Sequence, residues 1–298
     1  MRQVMKRSSR FITVAAVALA LAASGCGKKS SKAKSSGTGS GAGSVAGGGT
    51  GTGSAGPKGP SVPKGPVISS VSPSQAVEAT DRTAEDKALD AGRRPGELMT
   101  FLGVGRGMRV AELFAGGGYT VELMARLVGP EGKVYGQNSK DILEKFAEKP
   151  WSERLARLNM PWIVRVDREL DNPLPDDATK LEMVVANLVY HDTVWLGVDR
   201  AAMNAGVWKA LRPGGMYAII DHSAKAGTGD AAAKDLHRID AKFVQTEVEK
   251  AGFVLDRTSS MYANAADTRD WNASPTAAAE KRGTSDRFVM VFRKQTGQ

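Results

Sequence analysis

Residues 108–119 read MRVAELFAGGGY, and this stretch decides the fold. MRVAEL is a short apolar run of strand type that passes directly into Phe114-Ala115-Gly116-Gly117-Gly118. Residues 119–128 then place Val121, Leu123, Met124, Leu127 and Val128 at helical spacing and stop at Gly129-Pro130, a usual helix exit. The unit is strand, glycine loop, helix. In an open α/β sheet a loop of this kind sits beyond the carboxyl end of its strand, where ligands collect near the reversal of strand order. Its glycines let backbone approach a ligand closely, and the free amides at the start of the helix favour a carboxylate or phosphate.

Working outward, residues 95–102 read as a helix with Pro95 in its first turn. Further strands are expected at 133–137 (KVYGQ), 162–166 (WIVRV), 181–188 (LEMVVANL), 216–220 (MYAII), 253–258 and 287–292 (RFVMVF). Helices are expected between them at 139–147, 198–211 and 231–250. This alternation implies right-handed crossovers and a parallel sheet with helices on both faces. Between the last two strands there is only a loop-rich stretch, so the final strand is expected to be antiparallel. The fold class is α/β, a Rossmann-like, mostly parallel seven-stranded sheet.

The 298 residues carry 41 Lys+Arg against 32 Asp+Glu. Ten of the basic residues and no acidic one fall within residues 1–66, which leaves residues 67–298 at a net −1. A charge-driven nucleic-acid domain therefore has no compositional support. Residues 1–25 combine Arg2, Lys6, Arg7 and Arg10 with the apolar run 11–23 and read as an export signal peptide. Ala23-Ser24-Gly25-Cys26 resembles the bacterial lipobox, which implies lipidation of Cys26, the one cysteine, and a periplasm-facing membrane anchor. Gly27 in place of Asp favours the outer membrane by the same analogy. Apart from Cys26, Val45 and Val62, residues 26–66 hold only Gly, Ser, Thr, Ala, Lys and Pro, without an acid or an aromatic, and such a chain cannot bury enough apolar surface to order itself. A disordered tether is expected there, followed by one domain at 67–298.

Residues 116–121 do not complete a dinucleotide fingerprint, and no Gly-Lys-Ser/Thr follows for a nucleotide phosphate. The stretch 110–119 instead resembles the first motif of class I S-adenosylmethionine-dependent methyltransferases. LRPGG at 211–215, before the fifth strand, is similar to another feature of that superfamily. A narrower group of uncharacterised methyltransferases is also similar, through ELFAGGGYT, IIDH (219–222), LHRID (236–240) and DRFVMVFRK (286–294). The resemblance implies S-adenosylmethionine as cofactor, with Glu112 and Gly116, Gly117 and Gly118 holding its methionine end. It further implies Asn138 near the ribose, Asp167 near the adenine amino group and Asn187 at the end of the fourth strand. Phe114 stands where the superfamily has its first glycine, and Gln137-Asn138 where it has an acidic residue.

The three histidines, His191, His222 and His237, all fall in the region of the carboxyl edge, with Asp221 beside them. A base of near-neutral pKa there can take a proton from a hydroxyl or amine attacking a methyl sulfonium. Methyl transfer on a small-molecule acceptor is the reading these residues suggest. An exported binding module or altered enzyme on the same fold is the alternative, because the cofactor is not made outside the cytoplasm. A metal site from His191, Asp221, His222 and His237 is a further use of the cluster, although no metal ligand is assigned from the sequence.

Overall fold

The computed structural model describes residues 70–295. The expected export signal, Cys26 and the expected tether lie outside the described residues. Three N-terminal helices, α1 (Pro73–Val77), α2 (Ala84–Arg93) and α3 (Pro95–Leu102), precede β1 (Arg109–Leu113) and α4 (Tyr119–Val128). β2 (Lys133–Asn138) leads to α5 (Lys140–Ile142), a π turn (Leu143–Ala147) and α6 (Glu148–Leu158), then to β3 (Ile163–Asp167). β4 (Leu181–Asn187), α7 (Asp192–Trp195), α8 (Arg200–Ala210) and β5 (Leu211–His222) follow. The chain continues through α9 (Ala233–Leu236), α10 (Ala241–Lys250), β6 (Phe253–Ser259) and β7 (Arg287–Lys294).

The sheet order is β3-β2-β1-β4-β5-β7-β6. Strands β1 to β5 are parallel, and β7 runs antiparallel between β5 and β6, as a connection without a crossover α-helix allows. Successive strand residues point to opposite faces, so the sheet feeds two cores. Val110, Met183, Val185, Ala218 and Ile220 pack with α3, α4 and α6 on one face. Ala111, Val184, Ala186, Tyr217 and Ile219 pack with α8 and α10 on the other. Strands buried on both faces read as unbroken apolar runs, which is why LEMVVA and MYAII stand out in the sequence. Strand order reverses between β1 and β4, and the glycine loop sits at that point.

Two expected helices are redrawn. The one at 139–147 does not stop there but continues to Leu158. The π turn resets the hydrogen-bond ladder, so that Pro150 falls in the first turn of α6, where a missing amide costs little. The one at 231–250 is broken: α9 ends at His237, a residue in the left-handed region (φ 50°), and Asp240 starts α10 by accepting from the Lys242 amide at 2.9 Å. His237 is therefore outside any helix, and Asp240 is the N-cap of α10. The intervening segment lies along the end of β5, where the Ile239 amide donates to the His222 carbonyl at 2.9 Å. Buried Arg238 holds it from the other side through an ion pair with buried Asp267 at 2.8 Å. β5 also begins earlier than expected, because LRPGG is already paired with β4 at Leu211.

Candidate functional site

The glycine loop is built almost entirely from main chain. Phe114, Gly116 and Gly118 take φ values of 56°, 55° and 82°. Phe114 thus adopts the left-handed backbone that glycine adopts without strain, and a bulky residue holds it only where its surroundings fix it. Its amide donates to Gln137 Oε1 at 2.8 Å, and its ring packs against both cores. Gly116 is clamped at both of its polar atoms: its amide donates to Asn138 Oδ1 (2.8 Å) and its carbonyl accepts from Asn138 Nδ2 (3.1 Å).

The three glycines do different things. A Cβ on Gly118 would lie 2.2 Å from the Trp151 ring, so this glycine exists for close packing under α6. A Cβ on Gly117 would touch Pro150 at 3.3 Å, and the Gly117 carbonyl accepts from Arg154. A Cβ on Gly116 would meet nothing within 4 Å. Only this glycine faces open space. The sequence assigned all three to a ligand; α6, whose helix the sequence reading cut short, takes up Gly117 and Gly118.

Beneath the loop Glu112 is 4% exposed and its Oε2 has no hydrogen-bond partner among the described residues. Burial pushes its carboxyl up to about 8, against the opposing pull of the Thr120 hydroxyl, the Arg93 charge and the Val121 amide. Arg93 lies with its guanidinium 4.4 Å from the centroid of the Tyr119 ring at the start of α4. Asn187 closes the switch point by donating to the Thr120 hydroxyl at 3.3 Å. Asn138 is fully buried and occupied by Gly116, while exposed Asp167 is held by Arg165 at 2.8 Å.

A charged cluster anchors the helices around the loop. Arg154 on α6 reaches Asp86 on α2 at 2.6 Å and also binds buried Glu122 on α4, which Arg126 meets at 2.7 Å. Charges this buried persist only as a paired network, since desolvation of any one alone is costly. Only Glu122 and Arg126 stand at helical spacing in the sequence; Asp86 and Arg154 reach them from two other helices.

The histidines gather as expected, but in two groups. His191 is 3% exposed, and its Nδ1 lies 2.7 Å from Asp221 Oδ1, while Asp221 also accepts from the backbone amides of His191 and His222. On its other side His191 Nε2 is 3.2 Å from His237 Nδ1 and 3.1 Å from Asp192 Oδ1. Burial opposes a charge on His191, but the carboxylates of Asp221 and Asp192 outweigh it and raise its pKa to about 10. The same imidazolium holds the Asp192 carboxyl well below the usual range despite its burial. His222 turns away, with Nδ1 2.7 Å from the Ser285 hydroxyl. Burial, reinforced by the charges of His191, Arg287 and Arg238, pushes its pKa well down and keeps it neutral. Asp192, which the sequence reading did not single out, is the residue that joins His191 to His237.

No family model matches the sequence. Among solved structures, a protein taken to be a sarcosine dimethylglycine methyltransferase from Galdieria sulphuraria superposes with a TM-score of 0.51 at 15% identity, over 71% of this chain and 88% of that one. The chain has a methyltransferase fold. A SAM-dependent methyltransferase from Aquifex aeolicus is also similar, at 16% identity and a TM-score of 0.48, over 71% of this chain and 97% of that one. Identities this low speak for the fold alone, and the chemistry rests on the residues of the site.

Proposed function

We propose that this protein is an S-adenosylmethionine-dependent methyltransferase acting on a small-molecule acceptor. The observation that carries the reading is the left-handed bend at the β1/β4 switch point, with Gly116 open and the Glu112 carboxyl beneath it short of a partner. An acidic group suits the ammonium of the cofactor's methionine end. The amide-rich start of α4, with Arg93 nearby, suits its carboxylate. When bound, the cofactor would supply an electrophilic methyl group. Alignment of an acceptor against that methyl is then the main task of the carboxyl edge. Neutral His222 is the histidine with a lone pair to offer an acceptor proton; charged His191 has none to spare in this arrangement.

Calorimetric titration of the purified protein with S-adenosylhomocysteine tests the reading. Saturable one-to-one binding is expected. The absence of heat and of any melting shift at millimolar ligand would remove it in favour of a binding module on the same fold. That second reading is favoured by Asn138 and Asp167, whose polar groups are already engaged where the resemblance places ribose and adenine contacts. We further propose export and lipid anchoring through Cys26, with the domain facing the periplasm at the outer membrane. The basic leader, its apolar run and the lone cysteine support this. Metabolic labelling with a fatty acid, lost in Cys26→Ser, is the expected result.

A further inference from the structure

Three donor atoms, from two histidines and one aspartate, meet at one point beyond the ends of β4 and β5. His191 Nε2, His237 Nδ1 and Asp192 Oδ1 are separated by 3.2, 3.1 and 3.3 Å, pair by pair. The spacing matches ligands sharing one small cation. With metal–ligand bonds of about 2.0–2.1 Å, two neighbours on a tetrahedral ion stand about 3.3 Å apart, and two cis neighbours on an octahedral ion about 3.0 Å. We propose that His191, Asp192 and His237 form the protein face of a mononuclear site for a divalent first-row transition metal such as zinc.

The surrounding groups are arranged as such a site requires. Asp221 accepts the Nδ1–H of His191 at 2.7 Å, so Nε2 is the ring nitrogen aimed at the cluster, and an ion binding there would displace the Nε2 proton. A carboxylate behind a ligating histidine fixes its tautomer and raises its basicity. Asp221 is itself fixed by the His191 and His222 amides at 2.8 and 2.7 Å, so the ligand cannot swing away. His191 is buried, whereas the Asp192 and His237 side chains are 14% and 24% exposed, so an ion enters from the solvent side. Two histidines and one carboxylate on one face of the ion leave at least one coordination position for water or an acceptor oxygen. The left-handed backbone at His237 makes the site possible. By ending α9 there, the chain brings a ring 46 residues away in sequence up to His191. His222, bonded to Ser285, lies outside the donor triangle. The site stands whether or not the glycine loop binds a methyl donor.

The test is zinc binding by the full-length protein, freed of metal by a chelator and titrated with Zn²⁺ against a chromophoric competitor, with Co²⁺ absorption as a second readout. One equivalent of zinc and visible Co²⁺ bands of a low-coordinate N/O site are expected. His237→Ala and Asp192→Asn, both at part-exposed positions, should each weaken zinc by at least tenfold while the far-ultraviolet circular dichroism stays that of the wild type. Asp221→Asn should weaken it by about 10–100-fold, the usual effect of losing a carboxylate behind a ligand. Failure of the wild type to take up stoichiometric zinc, or uptake that is unchanged in His237→Ala and Asp192→Asn, overturns the proposal.

Discussion

The glycine loop and the histidine cluster both lie at the carboxyl edge of the sheet, yet they are held by opposite means. The loop is fixed by main-chain dihedrals, by the Asn138 clamp on Gly116 and by α6 lying over Gly117 and Gly118. The cluster is fixed by side-chain charge, with one buried imidazole between two carboxylates. The backbone device tolerates no added volume where α6 lies over it, at Gly118, but is indifferent to pH. Side-chain devices tolerate a change of shape but not a change of charge.

The sharpest way to break this comparison is Gly118→Ala. The new methyl would meet the Trp151 ring at 2.2 Å at a φ of 82°, so a loss of about 4 kcal/mol or outright failure to fold is expected in urea denaturation. Asp221→Asn attacks the other region. It leaves a buried imidazolium and two buried amides with one acceptor oxygen fewer, and should cost about 3 kcal/mol in the same assay.

Glu112 is the exception that sharpens the contrast, a titrating group under the backbone device. Its folded pKa is raised to about 8 from 4.5, so the folded state holds a proton that the unfolded chain releases. Its contribution to stability is full below pH 4.5 and falls by about 1.4 kcal/mol per pH unit until pH 8. Glu112→Gln should remove that slope, which denaturation at a series of pH values will read. The smallest effect on stability belongs to Gly116→Ala. Open space receives the methyl and only the φ of 55° opposes it, so about 1 kcal/mol is expected. Affinity for S-adenosylhomocysteine should nevertheless fall at least tenfold, because that space is where the cofactor would lie.

How much of this was legible depended on sequence distance. Residues 119–128 carry their own helix signal in periodicity and a glycine stop, and the helix occupies those residues. The β1 strand and its glycine bend were equally local. By contrast, the continuation of the helix past Ala147 was hidden by Pro150, since proline inside a helical run reads as a breaker unless a π turn resets the ladder. The break at His237 was hidden for the opposite reason, as an apolar stripe of helical spacing runs straight through it. Asp240 was visible as a residue but not as a cap, because a cap is recognised only once the preceding segment is known to leave the helix.

The sequence by itself determined the α/β class, the seven strands, the antiparallel last strand and the identity of the switch-point loop. Those follow from periodicity, turn residues and the lack of a crossover-helix pattern before the last strand, which are properties of neighbours in the chain. Only the tertiary structure decided which glycine faces open space, which carboxylates charge His191, and that Asp192 rather than His222 completes the cluster. Those are mostly distances between residues from different elements: His191 is 30 positions from Asp221 and 46 from His237. They are set by the order in which strands pair and by where one helix is forced to end.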